Sequence, residues 1–512
     1  MVCVTAAVHE ALPQRMPFTQ ASLGEQEIKG FAEPVRVYRV ELNPGEPIPI
    51  PQEDSQPPTS TKIRSLIVTA AVTFLIVAGS VFYWFKYGLP HEEPASSERM
   101  AFPLPDKPSI AVLPFKNMSN DPEQEYFVDG ITEDMITDLS QISGLFVIAR
   151  NSVFTYKDKP TKVKQVAEEL GVRYILEGSV RRAGDQIRIN AQLIDATSGG
   201  HVWAKRYDGS IQYVFALQDK VSAQIVSALA TNLTTLEFAR IGLVQTKVPQ
   251  AYDYFLHGMQ HYLKATPDHY ADAAKYFLHA LELDPDFSQA HAVLASVFFK
   301  SFRQQFHSVL GLQAFEAWSK TEEHLQQAME APTSLALQVA SGLSLTGRNH
   351  GEAIENAKSA TTLEPNDANA HATLAFALIM DGHPEQALAS VNLARRLDPH
   401  NEYYYVFLQG LSEFGQDNYQ KAMTSFEHAL ELNPELWSSG DGYGCAPTPV
   451  APLLSVYHNL GKKEAIRKLL QDRKFGCPIN TTMLSWPYKE SRDNDRLSNG
   501  LRGAGIPELH LL

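Results

Sequence analysis

Cysteine is almost missing: three residues in 512. That is too few for a disulfide framework, and no C-x2-C pair offers a zinc site. Positive charge is also in short supply. Lys and Arg number 44 against 58 Asp and Glu, a formal net charge of −14. This argues against nonspecific binding to nucleic acid or to an anionic lipid surface. Long apolar runs are missing too, with one exception. Residues 66–85, LIVTAAVTFLIVAGSVFYWF, carry no charge. At about 1.5 Å per residue a helix of this length spans about 30 Å, the thickness of a bilayer core. Arg36, Arg39, Lys62 and Arg64 precede it, and Phe82, Tyr83 and Trp84 cluster at its far end. The pattern predicts a single transmembrane helix with its N-terminal side in the cytoplasm. A chain of 512 residues has room for two to four domains around it.

The short piece before the span covers residues 1–42. Val35, Val37, Tyr38 and Val40 alternate around Arg36 and Arg39 as a strand does. Pro34 stands at the strand start, where its missing N–H is tolerable. Such a short piece cannot bury a core alone. Leu23-Gly24, Lys29-Gly30 and Pro34-Val35-x-Val37-Tyr38-x-Val40 closely resemble the last segment of bacterial class III adenylate/guanylate cyclase catalytic domains. VCVTAAVHEAL resembles the strand and helix just before it. The resemblance spans residues 2–41 and implies a C-terminal remnant of that domain. The family's two metal-binding aspartates, and the Asn and Arg that act on its transition state, lie upstream of the matched segment. No catalytic residue, cofactor or metal site is therefore carried over; Mg or Mn is implied only for an intact cyclase domain. Residues 43–65 are rich in proline and polar groups and read as a linker.

After a second linker at residues 86–105, residues 106–235 read as β-α-β-α-β-β-β-α. Ser109 begins an apolar strand ending at Phe115. Ile131, Met135, Ile136 and Leu139 share one helix face. Thr161 is placed to cap a helix that stops at Gly171. Two alternating runs joined by Ala-Gly-Asp make a hairpin, and Thr197-Ser-Gly-Gly200 turns the chain into a third strand. This predicts a mixed α/β sandwich. IAVLPF, with the run from Gly171 to Gly209, resembles TolB N-terminal-like or FlgO-like envelope domains, a resemblance that implies protein contacts and no catalytic residue. Asp129, Glu133 and Asp134 read as acids favoured at a helix N-terminus rather than metal ligands. Arg181 and Arg182 read as a solvated hairpin end.

Residues 250–436 repeat. A small residue, a bulky one four on, Ala three on and Pro five on recur: Ala273, Phe277, Ala280 and Pro285; Ala353, Ala357, Ala360 and Pro365; Ala387, Val391, Ala394 and Pro399; Ala422, Phe426, Ala429 and Pro434. Copies from Ser334 and Ala368 stand in 34-residue register. The pattern matches tetratricopeptide repeats, an all-α solenoid that serves as an interaction scaffold. Residues 437–475 read as a degenerate repeat and 476–512 as a tail. In that family the first helix of each repeat lines a groove. Transferring the register places Phe376, Ile379, Tyr404, Phe407, Leu411 and Phe414 there, an apolar and aromatic lining for a protein or peptide partner. The competing reading packs these side chains on neighbouring repeats or on the α/β domain. His257 and His261 are four apart on a helix, but no Glu follows His257 as H-E-x-x-H requires, so packed or solvated histidines are the better reading. GDGYG at 440–444 lacks the strand and helix of a phosphate loop. Cys445 and Cys477 would lie in an oxidising space and are placed to pair as a disulfide closing the last hairpin.

The fold class expected is thus α+β and multidomain. A bacterial inner-membrane protein follows, single-pass, with a cytoplasmic N-terminus and periplasmic C-terminal domains. Its outer domains bind a partner in the cell envelope, without nucleic acid, and a homodimer is possible. The alternative is an adenylate cyclase, converting ATP to cyclic AMP and pyrophosphate, that is truncated or started too far downstream.

Overall fold

The computed structural model describes residues 2–5, 18–26, 35–42, 94–229, 237, 246–434, 449–473, 479 and 486–508. The expected span at 66–85, the linker at 43–65 and residues 86–93 of the second linker lie outside the described residues; residues 94–105, expected as linker, instead pack on the α/β domain, with the Ala95 N–H donating to the Ala196 carbonyl at 2.7 Å and the Ala101 N–H to the Glu168 carbonyl at 2.8 Å. No helix among the described residues is long and apolar enough to cross a membrane. The chain divides into two units, residues 1–90 and 91–512.

Among its described residues the first unit contains three strands, β1 (Val2–Thr5), β2 (Phe18–Gln26) and β3 (Val35–Leu42). They form an antiparallel sheet in the order β1-β3-β2, with Val2 opposite Val40 and Gln20 opposite Val40 on the other side. The alternating Val35–Val40 run is therefore the central strand. The ladder slips between Ser22 and Glu25, where Gly24 has φ +75°, a left-handed conformation that suits glycine.

The second unit opens with a six-stranded sheet. The strands β4 (Ser109–Val112), β5 (Lys116–Asn117), β6 (Phe146–Val147), β7 (Tyr174–Ala183), β8 (Gln186–Asp195) and β9 (Gly200–Ser210) run in the order β6-β4-β7-β8-β9, with β5 beside β7. β6, β4 and β7 are parallel, and β7, β8 and β9 are antiparallel. The helices are α1 (Glu125–Ser140), α2 (Arg150–Phe154), α3 (Val163–Leu170) and α4 (Val214–Ala228). The order matches the expected one, with two short additions, β5 and α2. Lys162, not Thr161, precedes α3, and the Thr161 hydroxyl donates instead to the Lys159 carbonyl. Gly171 ends α3 at φ +62°; a Cβ there would come within 2.7 Å of the Phe102 carbonyl.

Helical hairpins follow: α5 (Pro249–Tyr262) with α6 (Pro267–Leu283), α7 (Ser288–Arg303) with α8 (Ala314–Ala328), and α9 (Ser334–Thr346) with α10 (His350–Leu363). Then come α11 (Ala368–Met380) with α12 (Pro384–Leu397), α13 (Glu402–Gly415) with α14 (Tyr419–Leu432), and α15 (Val450–Asn459) with α16 (Lys463–Arg473); α17 (Ser491–Gly503) closes the chain. The recurring small and bulky residues explain this packing. Ala273, Phe277, Ala280, Ala353, Ala357, Ala360, Ala387, Val391, Ala394, Ala422, Phe426 and Ala429 are all fully buried. Small side chains let the paired helices approach, and in two hairpins a glycine of the first helix receives the partner's ring. A Cβ on Gly258 would meet Phe277 at 2.5 Å, and one on Gly410 would meet Phe426 at 2.6 Å.

The sheet and the repeats share one core rather than forming separate bodies. A continuous apolar cluster runs from Ile110 and Phe127 through Phe277 and Phe426 to Trp486 and Leu501. Polar residues in the loops between hairpins, and one in the last turn of α12, pin the two halves together. Asn366 is buried; its Nδ2 donates to the carbonyls of Ser140 and Ile142, and its Oδ1 accepts from the Val147 N–H. Asp398 accepts from the Ser152 hydroxyl at 2.6 Å and from Tyr405 at 3.1 Å. Arg396 donates to the carbonyls of Leu170 and Gly171 and lies over the Phe146 ring.

Candidate functional site

The expected partner groove is filled. Ile379, Phe407, Leu411 and Phe414 are buried in the stack, and Phe376 and Tyr404 are half-buried against the same core. This corrects the expectation of an apolar lining open to a partner. Two physical causes are visible. α11 and α13 carry apolar residues over most of their surface, so neighbouring helices take both faces. The last segment, expected to be a tail, also folds back over the repeats. Trp486 is fully buried against Phe407 and stacks on Tyr488, 5.8 Å between ring centres.

The turns of three hairpins hold that segment. Arg348, between α9 and α10, donates to the carbonyls of Trp486 and Tyr488 at 3.1 Å each. The His350 Nε2 lies 2.6 Å from the Pro487 carbonyl. Between α11 and α12, the Met380 carbonyl accepts from the Lys489 N–H, and Asp381 pairs with the Lys489 ammonium at 2.8 Å. Between α13 and α14, Asp417 pairs with Arg492 and Arg496, and the Arg496 guanidinium lies over Phe414. Two of the aromatic side chains read as a partner site, Phe407 and Phe414, thus serve this chain's own C-terminal segment.

A cleft of about 1040 Å³ opens instead in the α/β domain. Its walls are β5, the middle of β7, β8 and β9, and residues 156–161. Phe115 and Ala191 lie in its apolar lining. Gly178 makes room for this: a Cβ there would meet the Phe115 ring at 2.4 Å. Across the strands, the Gln192 amide donates to Glu177 at 3.0 Å and the Asn190 amide to the Ser179 hydroxyl at 3.1 Å. At the rim, Lys157 pairs with Glu125 at 2.9 Å and Asp129 at 2.6 Å. Burial opposes the Lys157 charge, but the hydrogen bonds and charges of Asp129 and Glu125 outweigh it and raise its pKa. Amides, hydroxyls and charges over an apolar patch suit the holding of a polar chain.

The remaining sequence candidates fall elsewhere. Asp129, Glu133 and Asp134 are not at a helix N-terminus, because α1 starts at Glu125. Each has its own partner: Lys157 for Asp129, Arg150 for Glu133, and Tyr252 with Gln218 for Asp134. Arg182 is half-buried over the Phe127 ring and paired with Asp253 at 3.3 Å, so only Arg181 is a solvated hairpin end. His257 stacks between Tyr126, at 3.7 Å, and Tyr276, at 5.4 Å. Cys445, Cys477 and the GDGYG stretch lie outside the described residues.

Family comparison divides the chain as the fold does. Residues 345–408 and 404–436 match tetratricopeptide repeat families. Residues 345–436 are tetratricopeptide repeats. Residues 106–230 match the family described as "HilA/YgeH-like transcriptional regulator, second domain". A relative from Rhizobium meliloti (strain 1021), named "Putative adenylate cyclase 3", is 48% identical over 227 residues, 44% of this chain and 39% of its own. The match thus spans about two-fifths of that relative's length. Among solved structures, TolB from Acinetobacter baumannii is 19% identical over 25% of this chain and 30% of its own, with a TM-score of 0.19. YrrB, described as a TPR protein with an unusual peptide-binding site, is 16% identical over 40% of this chain and 94% of its own, with a TM-score of 0.26. Pseudomonas aeruginosa pilF is 18% identical over 43% of this chain and 87% of its own, with a TM-score of 0.30.

Proposed function

We propose that this chain is a membrane-anchored, adenylate-cyclase-related protein whose α/β domain and repeats together bind a protein partner in the cell envelope. The observation that carries this reading is the buried union of sheet and repeats, a rigid scaffold with the 1040 Å³ cleft left open in it. The partner belongs at that cleft rather than at the repeat face, where Phe407 and Phe414 already have neighbours. The uncharged run at 66–85 supplies the anchor, and the second unit lies beyond the membrane, as a TolB-like domain would. Residues 1–42 are the end of a class III cyclase domain. The β1-β3-β2 sheet, with the Pro34–Val40 run at its centre, supports this.

Two experiments test the reading. A tag at the C-terminus is digested by protease added to spheroplasts; protection of the tag sinks the anchored arrangement. A photo-reactive residue at Gln192 gives one discrete cross-linked protein in cells, and the same residue at Ile379 gives none. Equal products from both positions sink the cleft.

A second reading, an adenylate cyclase making cyclic AMP from ATP, is favoured by the relative named as one. Cyclic AMP formed by the purified chain with ATP and Mn²⁺ or Mg²⁺ establishes it and overturns the first.

A further inference from the structure

The turn of the first hairpin gathers three side chains that nothing above uses. His261 stands in the last turn of α5, and His269 and Asp272 in the first turns of α6. One ligand atom from each lies within 4.8 Å of the others, and the His261 Nδ1 is 3.9 Å from the Asp272 Oδ2. His257, which shares a helix face with His261 in the sequence, is not part of this group. The Nδ1 atoms of His261 and His269 are both shut off from solvent and have no hydrogen-bond partner. A buried imidazole nitrogen left this way needs a physical reason, and two of them face one carboxylate. Lys275 holds the other Asp272 oxygen, Oδ1, at 2.8 Å. Tyr276 stacks on the His261 ring at 5.4 Å and fixes its plane.

We propose that His261, His269 and Asp272 bind a divalent transition-metal ion of the zinc class, closing the turn of the first hairpin. Two imidazoles and one carboxylate are a zinc, nickel or copper ligand set, whereas calcium and magnesium prefer oxygen alone. Metal–ligand bonds of about 2.0–2.2 Å place neighbouring ligand atoms roughly 3.4 Å apart. Side-chain rotations that draw the three groups together by about 1 Å therefore complete the geometry. Three protein ligands leave a fourth position for water or a partner's side chain. An ion held by the folded hairpin alone stabilises it by mass action.

The test uses the full chain purified in detergent. Zn²⁺ is titrated against a chromophoric chelator, and Co²⁺ supplies a visible spectrum that reports tetrahedral N/O ligation. One equivalent is expected, with a rise in the unfolding temperature. H261A and H269A each weaken binding by at least about a hundredfold, beyond the range seen for outer-shell changes. H279A, on an exposed histidine beside Glu282, changes nothing. Circular dichroism of the metal-free variants checks that they fold, and H269N serves where H269A does not. Absence of a bound equivalent overturns the proposal, as does an affinity that H261A and H269A leave intact.

Discussion

The indole of Trp486 stands edge-on to the ring of Phe407, 6.3 Å between centres and 75° between planes. The two residues lie far apart in the chain, one on the first helix of a repeat and the other in a segment without regular structure. Their contact joins the end of the polypeptide to the middle of the solenoid. Edge-to-face geometry of this kind adds about 0.5–1.5 kcal/mol to the burial of the rings themselves.

Trp486→Ala should therefore cost about 3–5 kcal/mol, the range for emptying a large aromatic site in a core. The Trp486 Nε1 is buried without a hydrogen-bond partner, so Trp486→Phe gives up little polar interaction. It should lose less than half as much as the alanine variant. Urea unfolding followed by circular dichroism measures both, and equal losses would mean that the indole shape matters beyond its apolar bulk.

Asn366 makes a second prediction, about the union of the two halves. Alanine there strands the Val147 N–H in a buried place, while the carbonyls of Ser140 and Ile142 keep the backbone N–H groups of Asn366 and Leu145. Such a group costs about 1–3 kcal/mol. Asn366→Ala should lower stability by about that much, and Asn366→Asp by more, because a carboxylate would face the two carbonyls. Differential scanning calorimetry should show one transition for the second unit of the wild-type chain and a broadened or split one for the variants. A sharp, unshifted transition in both variants would mean that the halves are held by apolar contact alone.

These two sites also mark what the sequence made legible. The hairpins follow from the spacing of Ala273, Phe277, Ala280 and their counterparts, because a buried helix face must repeat with the helix period. The succession of elements along the α/β domain follows from alternation and from Gly171 and Gly184, both at positive φ, whereas the order of the strands in the sheet does not. The union of the halves has no such period. It rests on Asn366 and Asp398 in loops and on Arg396 in the last turn of α12, polar residues whose partners lie more than 200 residues away. The closing segment hides in the same way: SRDNDRLSNGLRG is polar throughout, and only Leu497, Gly500 and Leu501 of α17 are buried. The groove reading failed because the family register says which helix faces inward, not what already lies against it. The trio at the first turn leaves no mark in the sequence, because His261, His269 and Asp272 belong to two helices and no spacing within one helix joins them.

Gly410 tests the close approach of α13 and α14. Alanine is the better helix former by about 1 kcal/mol, yet its Cβ would stand 2.6 Å from the Phe426 ring. Overpacking of this kind costs about 1–3 kcal/mol, so Gly410→Ala should destabilise on balance. Gly351, in α10 with nothing within 4 Å of a Cβ, should gain up to about 1 kcal/mol from the same change. Pairing Gly410→Ala with Phe426→Leu should recover part of the loss. Additive losses in the double variant would show that the ring is not what the methyl meets.

The acids of α1 give the chain an unusual response to pH. Burial pushes Asp138 up to about 7, with the charge of Asp134 adding to it and the Ser222 hydroxyl opposing. Burial likewise pushes Asp134 up to about 6. Both values lie above the ordinary carboxylate value of about 3.9 in an unfolded chain. Below pH 4 both states are protonated and neither group costs anything. Between pH 4 and 7 the unfolded chain releases its protons while the folded one keeps them. Stability therefore falls as pH rises through this window and levels off above the folded pKa. Asp138→Asn removes one titrating group and leaves an amide that can still accept from Ser222. The variant should gain on wild type by about 1–2 kcal/mol between pH 4 and 8, less than the full conversion of about 1.4 kcal/mol per pKa unit because the Asp138 side chain keeps some contact with solvent. Urea midpoints across that range measure the difference, and parallel profiles for the two proteins would place the folded-state pKa of Asp138 near its ordinary value.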